Sequence, residues 1–217
     1  MAASSGVTLE VSVSTQLVTW LDLLLTWNKK LDLTAARSHD ELADLMLADA
    51  FALSSHIPEK QRVVDVGTGA GAPGLPLALL RPDLSVTLIE PLAKRTSFLR
   101  TFLGTVHRTD IVLRRAKGED ARLEAKTTPW DHALSRATLA PPAWLALGMD
   151  LVGPHGSVWV LLAQGDAPSL PATRLAEDFT YAWPLTTQTR RALRYEKIFC
   201  HPERSEGSPG DPSLRSG

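Results

Sequence analysis

Large apolar residues follow two different spacings along the chain, and the spacing changes after the first two predicted elements. Between residues 14 and 31 they recur every three or four positions, which is the stripe of an amphipathic helix. The capping-box sequence that starts at Ser38 predicts a second helix, which the same spacing extends to residue 53. Beyond it, short apolar runs typical of strands alternate with helical patterns. We therefore expect a helical extension over residues 1–58 and an α/β core over residues 59–200.

The core is predicted to contain at least five strands and three helices. The strands are expected at residues 62–66, 86–90, 110–113, 130–135 and 157–162, with one or two more within 181–183 and 195–200. The helices are expected at residues 75–80, 94–103 and 139–151. This alternation is typical of a doubly wound, mostly parallel, Rossmann-like sheet. Residues 201–217 are rich in Ser, Gly and Pro and are predicted to form a disordered tail.

Composition and charge exclude several classes of protein but indicate no function. The chain has 23 Lys and Arg against 24 Asp and Glu, so the net charge of −1 carries no general signature of a polyanion-binding protein. Cys200 is the single cysteine, which excludes an intramolecular disulfide and an all-cysteine zinc site. The sequence shows neither a signal peptide nor an apolar run of membrane-spanning length. We expect a cytoplasmic protein with no metal site and no membrane contact, and the sequence carries no signal for an oligomeric state.

The most informative segment is the glycine-rich stretch that follows the first predicted strand. Gly67, Gly69, Gly71 and Ala72 lie between that strand and a helix, where glycines allow tight turns and close approach of a ligand to the backbone. Ligands of open α/β sheets bind at the carboxyl ends of the strands. The spacing also satisfies the loose dinucleotide fingerprint, so a nicotinamide cofactor is one alternative.

Two carboxylates and the chain length favour S-adenosylmethionine over a nicotinamide cofactor. Asp65 lies two residues before the first glycine, where a carboxylate would repel a pyrophosphate but could accept from an ammonium group or from loop amides. Glu90 ends the next strand and is placed to accept from both ribose hydroxyls, a feature that fits either cofactor. The chain leaves little room for the separate catalytic domain of a dehydrogenase.

Two later strand ends supply further candidates. The loop after the third predicted strand would lie over an adenine, which makes Gly118 and Glu119 candidates for cofactor contact. Arg136 follows the fourth strand, where the reacting methyl group and the substrate would meet, and is the candidate catalytic residue and cofactor or substrate clamp.

The missing motifs narrow the methyl acceptor. No Asn-Pro-Pro-Tyr-like or Asp-Pro-Pro-Tyr-like tetrapeptide is present, and no cysteine follows a predicted strand of the core sheet, which disfavours amino-nitrogen and covalent carbon-5 methylation. A ring nitrogen such as guanine N7 needs only positioning. Residues 90–126 hold nine basic side chains against five acidic ones, and Arg190, Arg191, Arg194 and Lys197 form a second cluster. Each cluster is either a phosphate-binding surface or a solvated face.

Several of these segments together resemble a known family. The matching segments are Trp27-Asn28-x-x-Leu31-Asp32-Leu33-Thr34, Asp49, Asp65-Val66-Gly67-Thr68-Gly69-Ala70-Gly71-Ala72-Pro73-Gly74-Leu75-Pro76, Lys94-Arg95, Phe98-Leu99 and Ser135-Arg136-Ala137. In order and spacing they resemble the bacterial 16S ribosomal RNA guanine-N7 methyltransferases, the glucose-inhibited division protein B family. The resemblance implies an α/β methyltransferase with an N-terminal helical extension, S-adenosylmethionine as donor, and a guanine of 16S ribosomal RNA or the small ribosomal subunit as acceptor. It places Gly67, Ala72, Gly118, Glu119 and Arg136 at cofactor-binding positions.

The chain departs from the family pattern at three positions. Met46 stands where the family usually has His, Gln164 where Lys is common, and Asp32 where Asn is usual. Because of the first two departures, one alternative is that the chain is a non-catalytic relative that binds ribosomal RNA. A small NAD(P)-binding oxidoreductase is the less favoured alternative. Asp49 falls on the apolar face of the second predicted helix, either as a boundary residue that reaches water or as a structural or binding group.

Overall fold

The computed structural model describes residues 9–198, so the predictions for the tail over residues 201–217 and for Cys200 lie outside the described residues. Within the described range, no helix combines the length and the apolar character that a membrane crossing requires.

A single seven-stranded sheet in the order β3-β2-β1-β4-β5-β7-β6 forms the centre of the molecule. The strands are β1 (Arg62–Val66), β2 (Ser85–Ile89), β3 (Val112–Arg114), β4 (Trp130–Ser135), β5 (Val152–Leu162), β6 (Thr173–Ala182) and β7 (Thr189–Lys197). The first five strands pair in parallel, whereas β7 is antiparallel to both of its neighbours. The predicted doubly wound, mostly parallel fold is therefore confirmed. The strand order reverses between β1 and β4, and this is where ligands of such sheets bind.

The helices and helical turns either precede β1 or lie between the first five strands. They are α1 (Val11–Leu31), α2 (His39–Ala43), a π-helical turn (Asp44–Ala48), α3 (Asp49–Ser54), α4 (Gly74–Leu80), α5 (Ala93–Thr105), a 3-10 turn (Gly118–Ala121), α6 (Arg122–Ala125) and α7 (Pro141–Leu151). The second predicted helix is thus interrupted by a π-helical turn. The predictions also missed most of β6, because this edge strand carries as many polar as apolar residues and only β7 pairs with it.

The turn after α1 explains why this part of the chain tolerates its departure from the family pattern. Asn28 Oδ1 accepts from the backbone N–H groups of Leu33 and Thr34, at 2.6 and 2.9 Å. The intervening Asp32 has φ of 50°, in the left-handed region that Asn and Asp adopt more readily than other non-glycine residues. An aspartate therefore preserves the backbone conformation that the usual asparagine would support.

Helix α1 is built into the core beneath the glycine-rich loop. Trp20 is fully buried, and its indole Nε1–H donates to the carbonyl of Ala70 at 3.1 Å. Trp27 packs edge-on against Phe98 of α5, with 5.7 Å between the ring centres. The helical extension thus supplies a hydrogen bond to the middle of the loop that follows β1.

We expect Trp20→Phe to loosen this loop, because the substitution keeps an aromatic ring but leaves the buried Ala70 carbonyl without a donor. The free energy of unfolding should fall by about 1–3 kcal/mol, and the Gly69 and Gly71 amides should exchange their hydrogens faster. Trp130→Phe is the matched control, since the equally buried Trp130 donates over 3.4 Å to Thr87 Oγ1. Equal exchange of the loop amides in the two variants would contradict this role of Trp20.

Candidate active site

Asp65, at the end of β1, organises the glycine-rich loop. Its Oδ2 accepts from the Thr68 hydroxyl at 2.6 Å and from the Gly74 amide at 2.8 Å, which joins the two ends of the loop. The residue is fully buried, and its Oδ1 has no hydrogen-bond partner among residues 9–198. Burial raises the pKa of Asp65 to about 7, against the opposing effect of these two hydrogen bonds. The expected contact of Asp65 with a loop amide is present, and its Oδ1 is left for a further hydrogen-bond donor.

The loop glycines adopt conformations that a side chain would strain. Gly67, Gly69 and Gly71 have φ of 70°, 62° and 120°. A Cβ on Gly67 would lie 2.2 Å from Thr138 Oγ1, so the loop and the segment after β4 are in direct contact. Ala72 is buried at the end of the loop.

Glu90 lies at the end of β2 and holds the loop from the other side. It is only 1% exposed, and its two oxygens accept from the amides of Gly69 at 3.0 Å and Leu92 at 2.9 Å. The Arg95 guanidinium lies 3.7 Å away. Because each carboxylate oxygen can accept two hydrogen bonds, one acceptor position remains on each oxygen for a ligand.

The turn after β3 brings Gly118 against the end of β1. A Cβ on Gly118 would lie 2.5 Å from Val66 Cγ1, so only glycine allows the backbone this close to the end of β1. Glu119 follows in the same 3-10 turn and is exposed. The structure thus brings Asp65, Glu90 and Gly118 together around the end of β1 and the loop that follows it.

Arg136 and its neighbours join the loop to a second part of the site. Ser135 Oγ donates to the Val66 carbonyl at 2.7 Å. The Arg136 guanidinium donates through Nη1 to Asp49 Oδ2 at 3.0 Å and to the Leu45 carbonyl. Arg136 therefore lies between the strand ends and the helical extension.

A cavity of about 470 Å³ opens at the carboxyl ends of β4 and β5. Its lining consists of Leu45, Asp49, Ser135, Arg136, Ala137, Leu139, Pro141, Trp144, Val160, Leu161, Leu162, Ala163, Gln164, Tyr181, Trp183 and Arg190. Apolar and aromatic side chains predominate, and a few polar groups lie among them, which is the usual make-up of a site for an organic ligand. Asp49 is its one carboxylate, and no histidine lies in this lining.

Sequence reasoning missed the group of residues that closes this cavity. The structure shows that Asp49 is buried and bound, whereas the sequence left this open: its Oδ1 accepts from the Tyr181 hydroxyl and from Trp183 Nε1. Asp44, in the same helical segment, is also buried and accepts from the Leu185 and Thr186 amides. The sequence signal for this group of residues is that two aspartates, Asp44 and Asp49, recur within a largely apolar helical segment.

Two of the departures from the family pattern occupy different environments. Met46 is buried in the hydrophobic core and does not line the cavity. Gln164 is exposed and lies in the cavity wall.

The structure separates the basic clusters into paired and unpaired groups. Ion pairs join Arg108 to Asp110, Arg114 to Glu124, Arg122 to Asp150, Arg191 to Asp178, and Arg194 to Glu177 and Glu196. Arg190 instead covers the Trp183 ring, with 3.9 Å between the guanidinium carbon and the ring centre. Lys94 donates to the Leu31 carbonyl, and Arg115 and Lys117 form no ion pair within the described residues.

The contact between Gly67 and Thr138 generates a stability prediction. Gly67→Ala should lower the free energy of unfolding by about 2–4 kcal/mol, because it combines a positive φ with a steric clash. Adding Thr138→Gly, which removes all three contacting atoms, should restore part of this loss. Gly104→Ala is the control, since a Cβ there meets nothing within 4 Å. A denaturant titration that finds Gly67→Ala as well tolerated as Gly104→Ala would contradict the proposed packing.

Comparison with known proteins adds a family to this geometry. The family model described as GidB, rRNA small subunit methyltransferase G, matches residues 13–190. The chain is 32% identical over 200 residues to ribosomal RNA small subunit methyltransferase G of Anaeromyxobacter dehalogenans strain 2CP-C, which covers 88% of this chain and 92% of the relative. It is 34% identical over 174 residues to the protein of the same name from Xanthomonas oryzae pv. oryzae strain KACC10331, with 79% and 78% covered.

Solved structures support the fold alone. The crystal structure of MtNAS in complex with MTA and tNA superposes with a TM-score of 0.54 at 12% identity, and the match covers 70% of this chain and 58% of that one. The family model and the relatives confirm the resemblance inferred from the sequence motifs. The chain belongs to the GidB family, described as rRNA small subunit methyltransferase G.

Proposed function

We propose that this protein transfers a methyl group from S-adenosylmethionine to N7 of a guanine in 16S ribosomal RNA, and that Arg136 faces both the methyl donor and the acceptor. The residues of the proposed donor site are Asp65, Gly67, Gly69, Gly71, Ala72, Glu90, Gly118, Glu119 and Arg136. The observation that carries the proposal is the family match over residues 13–190. It is supported by the contact of Gly67, in the loop after β1, with Thr138, in the segment after β4 whose neighbouring residues line the cavity. Family membership also favours methyl transfer over an NAD(P)-dependent oxidoreductase.

The residues at the ends of β1, β2 and β3 fit S-adenosylmethionine. Asp65 Oδ1, which has no hydrogen-bond partner among the described residues, suits a cationic methyl donor. The remaining hydrogen-bond acceptor positions of Glu90 suit the ribose hydroxyls of that methyl donor. Gly118 holds its turn against the end of β1, and the exposed Glu119 beside it is proposed to contact the base. When bound, S-adenosylmethionine supplies an electrophilic methyl group on a sulfonium sulfur.

The cavity suits an acceptor that needs no general base. Its one carboxylate, Asp49, already accepts from Arg136, Tyr181 and Trp183 and therefore is not free to take a proton from a substrate. Guanine N7 carries an in-plane lone pair and no proton. The lone pair forms the new N–C bond while the C–S bond breaks with its electrons on sulfur, so catalysis consists of positioning and electrostatics.

The remaining candidate function, a non-catalytic relative that binds ribosomal RNA, rests on Met46 and Gln164. Met46 packs in the core away from the cavity, and Gln164 changes one position of the cavity wall. Neither change removes a residue proposed to touch the donor.

The test is transfer of labelled methyl from S-adenosylmethionine to small ribosomal subunits that lack the modification. We expect a single labelled guanine, located by cleavage chemistry selective for N7-methylguanine, and a loss of about 100-fold or more in kcat/KM for Arg136→Ala. Label on another base would overturn the acceptor. Donor binding and salt-dependent RNA binding without transfer would identify the non-catalytic relative.

The raised pKa of Asp65 predicts a pH dependence of donor binding. Below a pH of about 7 the carboxyl is largely protonated, and a cationic donor favours its ionised form, so binding releases a proton. Affinity for S-adenosylmethionine should therefore rise between about pH 5.5 and 7, by up to about tenfold per pH unit. Calorimetry of Asp65→Asn should give weaker binding without this slope. An equal slope in both proteins would assign the titration to another group.

A further inference from the structure

Asp49 joins three parts of the chain that are far apart in sequence. Its Oδ2 accepts from Arg136 Nη1 at 3.0 Å, and its Oδ1 accepts from the Tyr181 hydroxyl at 2.8 Å and from Trp183 Nε1 at 3.2 Å. Only 3% of the residue is exposed. Burial and the adjacent Asp49 charge raise the pKa of Tyr181 well above its usual value, so its hydroxyl remains a donor. Asp49 thus links α3, the segment after β4, and the end of β6.

The π-helical turn provides a second acceptor for the same arginine nitrogen. Leu45 lies in that turn, and its carbonyl accepts from Arg136 Nη1. A π-helical turn shifts backbone hydrogen bonds by one residue and so re-aims carbonyl groups, and such turns are frequent at functional sites. The guanidinium is therefore anchored at Nη1 by the helical extension, and the side chain also lines the cavity.

The charge of Asp49 has a consequence for the proposed reaction. Methylation at N7 leaves a positive charge on the guanine base, and an uncompensated arginine beside it would oppose that charge. With Asp49 in contact, the Arg136–Asp49 pair is electrically neutral while the guanidinium keeps its remaining N–H donors. An asparagine in place of Asp49 would preserve much of the shape but not this compensation.

We propose that Asp49 is a positioning residue that fixes the Arg136 guanidinium at the acceptor cavity and compensates its charge during methyl transfer. The part that concerns catalysis rests on the proposed function. The part that concerns the position of Arg136 does not.

Asp44 provides a matched control within the same helical segment. It is fully buried, and it accepts from the Leu185 amide at 3.1 Å, the Thr186 amide at 2.7 Å and the Thr186 hydroxyl at 2.8 Å. Like Asp49, it ties the helical segment to the region of the β6–β7 hairpin. Unlike Asp49, it does not contact Arg136.

The first experiment compares Asp49→Asn with Asp44→Asn. Both substitutions should lower the melting temperature, because each disturbs a buried, multiply bonded carboxylate. Only Asp49→Asn should lower kcat for methyl transfer, by about 100-fold, and its affinity for S-adenosylmethionine should fall further than that of Asp44→Asn, because Arg136 is also a proposed donor-site residue. An equal loss of kcat in the two variants, measured where both are folded, would reduce Asp49 to a structural tether and overturn the proposal.

A double-mutant cycle separates positioning from general damage. In an Arg136→Ala background, Asp49→Asn should cause no further loss of kcat, because the group that it positions is already gone. It should still lower stability. Multiplicative losses of kcat would show that the two residues act independently and would contradict the proposal.

Hydrogen exchange of the Arg136 side chain measures how firmly the guanidinium is held, independently of methyl transfer. The side-chain N–H signals of Arg136, assigned by their loss in Arg136→Lys, should exchange slowly in the wild type and in Asp44→Asn but quickly in Asp49→Asn. If the wild-type protein methylates no RNA, the proposed function fails, and this exchange still tests the hold of Asp49 on Arg136.

Tyr181→Phe keeps the inference testable if Asp49→Asn does not fold. It removes one donor to Asp49 Oδ1 and leaves the ion pair to Arg136 in place, so the Arg136 signals should stay slow. Fast exchange of Arg136 in this variant would show that the ion pair does not fix the guanidinium.

Discussion

A carboxylate shielded from water is costly unless hydrogen-bond donors reach it, and three buried carboxylates with such donors organise the carboxyl edge of the sheet. Asp65 draws the two ends of the glycine-rich loop together, and Glu90 pulls the middle of the same loop toward β2. Asp49 does the same for Arg136 and the end of β6. Several of these donors, among them Thr68, Gly69 and Arg136, lie in segments between the helices and strands. The carboxylates therefore define the shape of loops that backbone hydrogen bonds alone would leave open.

The helical extension is part of this arrangement and not an appendage to it. Trp20 donates to the loop after β1, and the π-helical turn and α3 hold Arg136. The same helical segment binds the hairpin between β6 and β7 through Asp44. The glycine-rich loop and the cavity at the ends of β4 and β5 are thus both braced by residues that precede the first strand. A variant in the extension would consequently disturb the site without touching any ligand.

The alternation of strands and helices could be predicted because each element carries its own periodic pattern, and the glycine-rich loop could be located because its glycines follow a buried strand directly. The network around Asp49 could not be predicted. Its partners Arg136 and Tyr181 are 87 and 132 residues away in sequence, and an aspartate on an apolar face does not specify which of many distant donors it meets. Strand β6 was largely missed for a related reason. Its residues alternate only weakly, and it is defined by pairing with β7, which comes later in the chain.

The distribution of ion pairs explains how a chain with nearly equal numbers of positive and negative charges could bind a polyanion. Many of its arginines are neutralised by neighbouring carboxylates, as in the Arg191–Asp178 pair on the antiparallel edge. Around the loops that follow β2 and β3 the balance differs: Lys94 donates to a carbonyl group, and Arg115 and Lys117 have no acidic partner within the described residues. Phosphates attract such cations through a sequence-independent, salt-dependent interaction. A net charge of −1 is therefore compatible with a nucleic-acid substrate, because these cations follow the carboxyl ends of β2 and β3, at the same edge of the sheet as the glycine-rich loop.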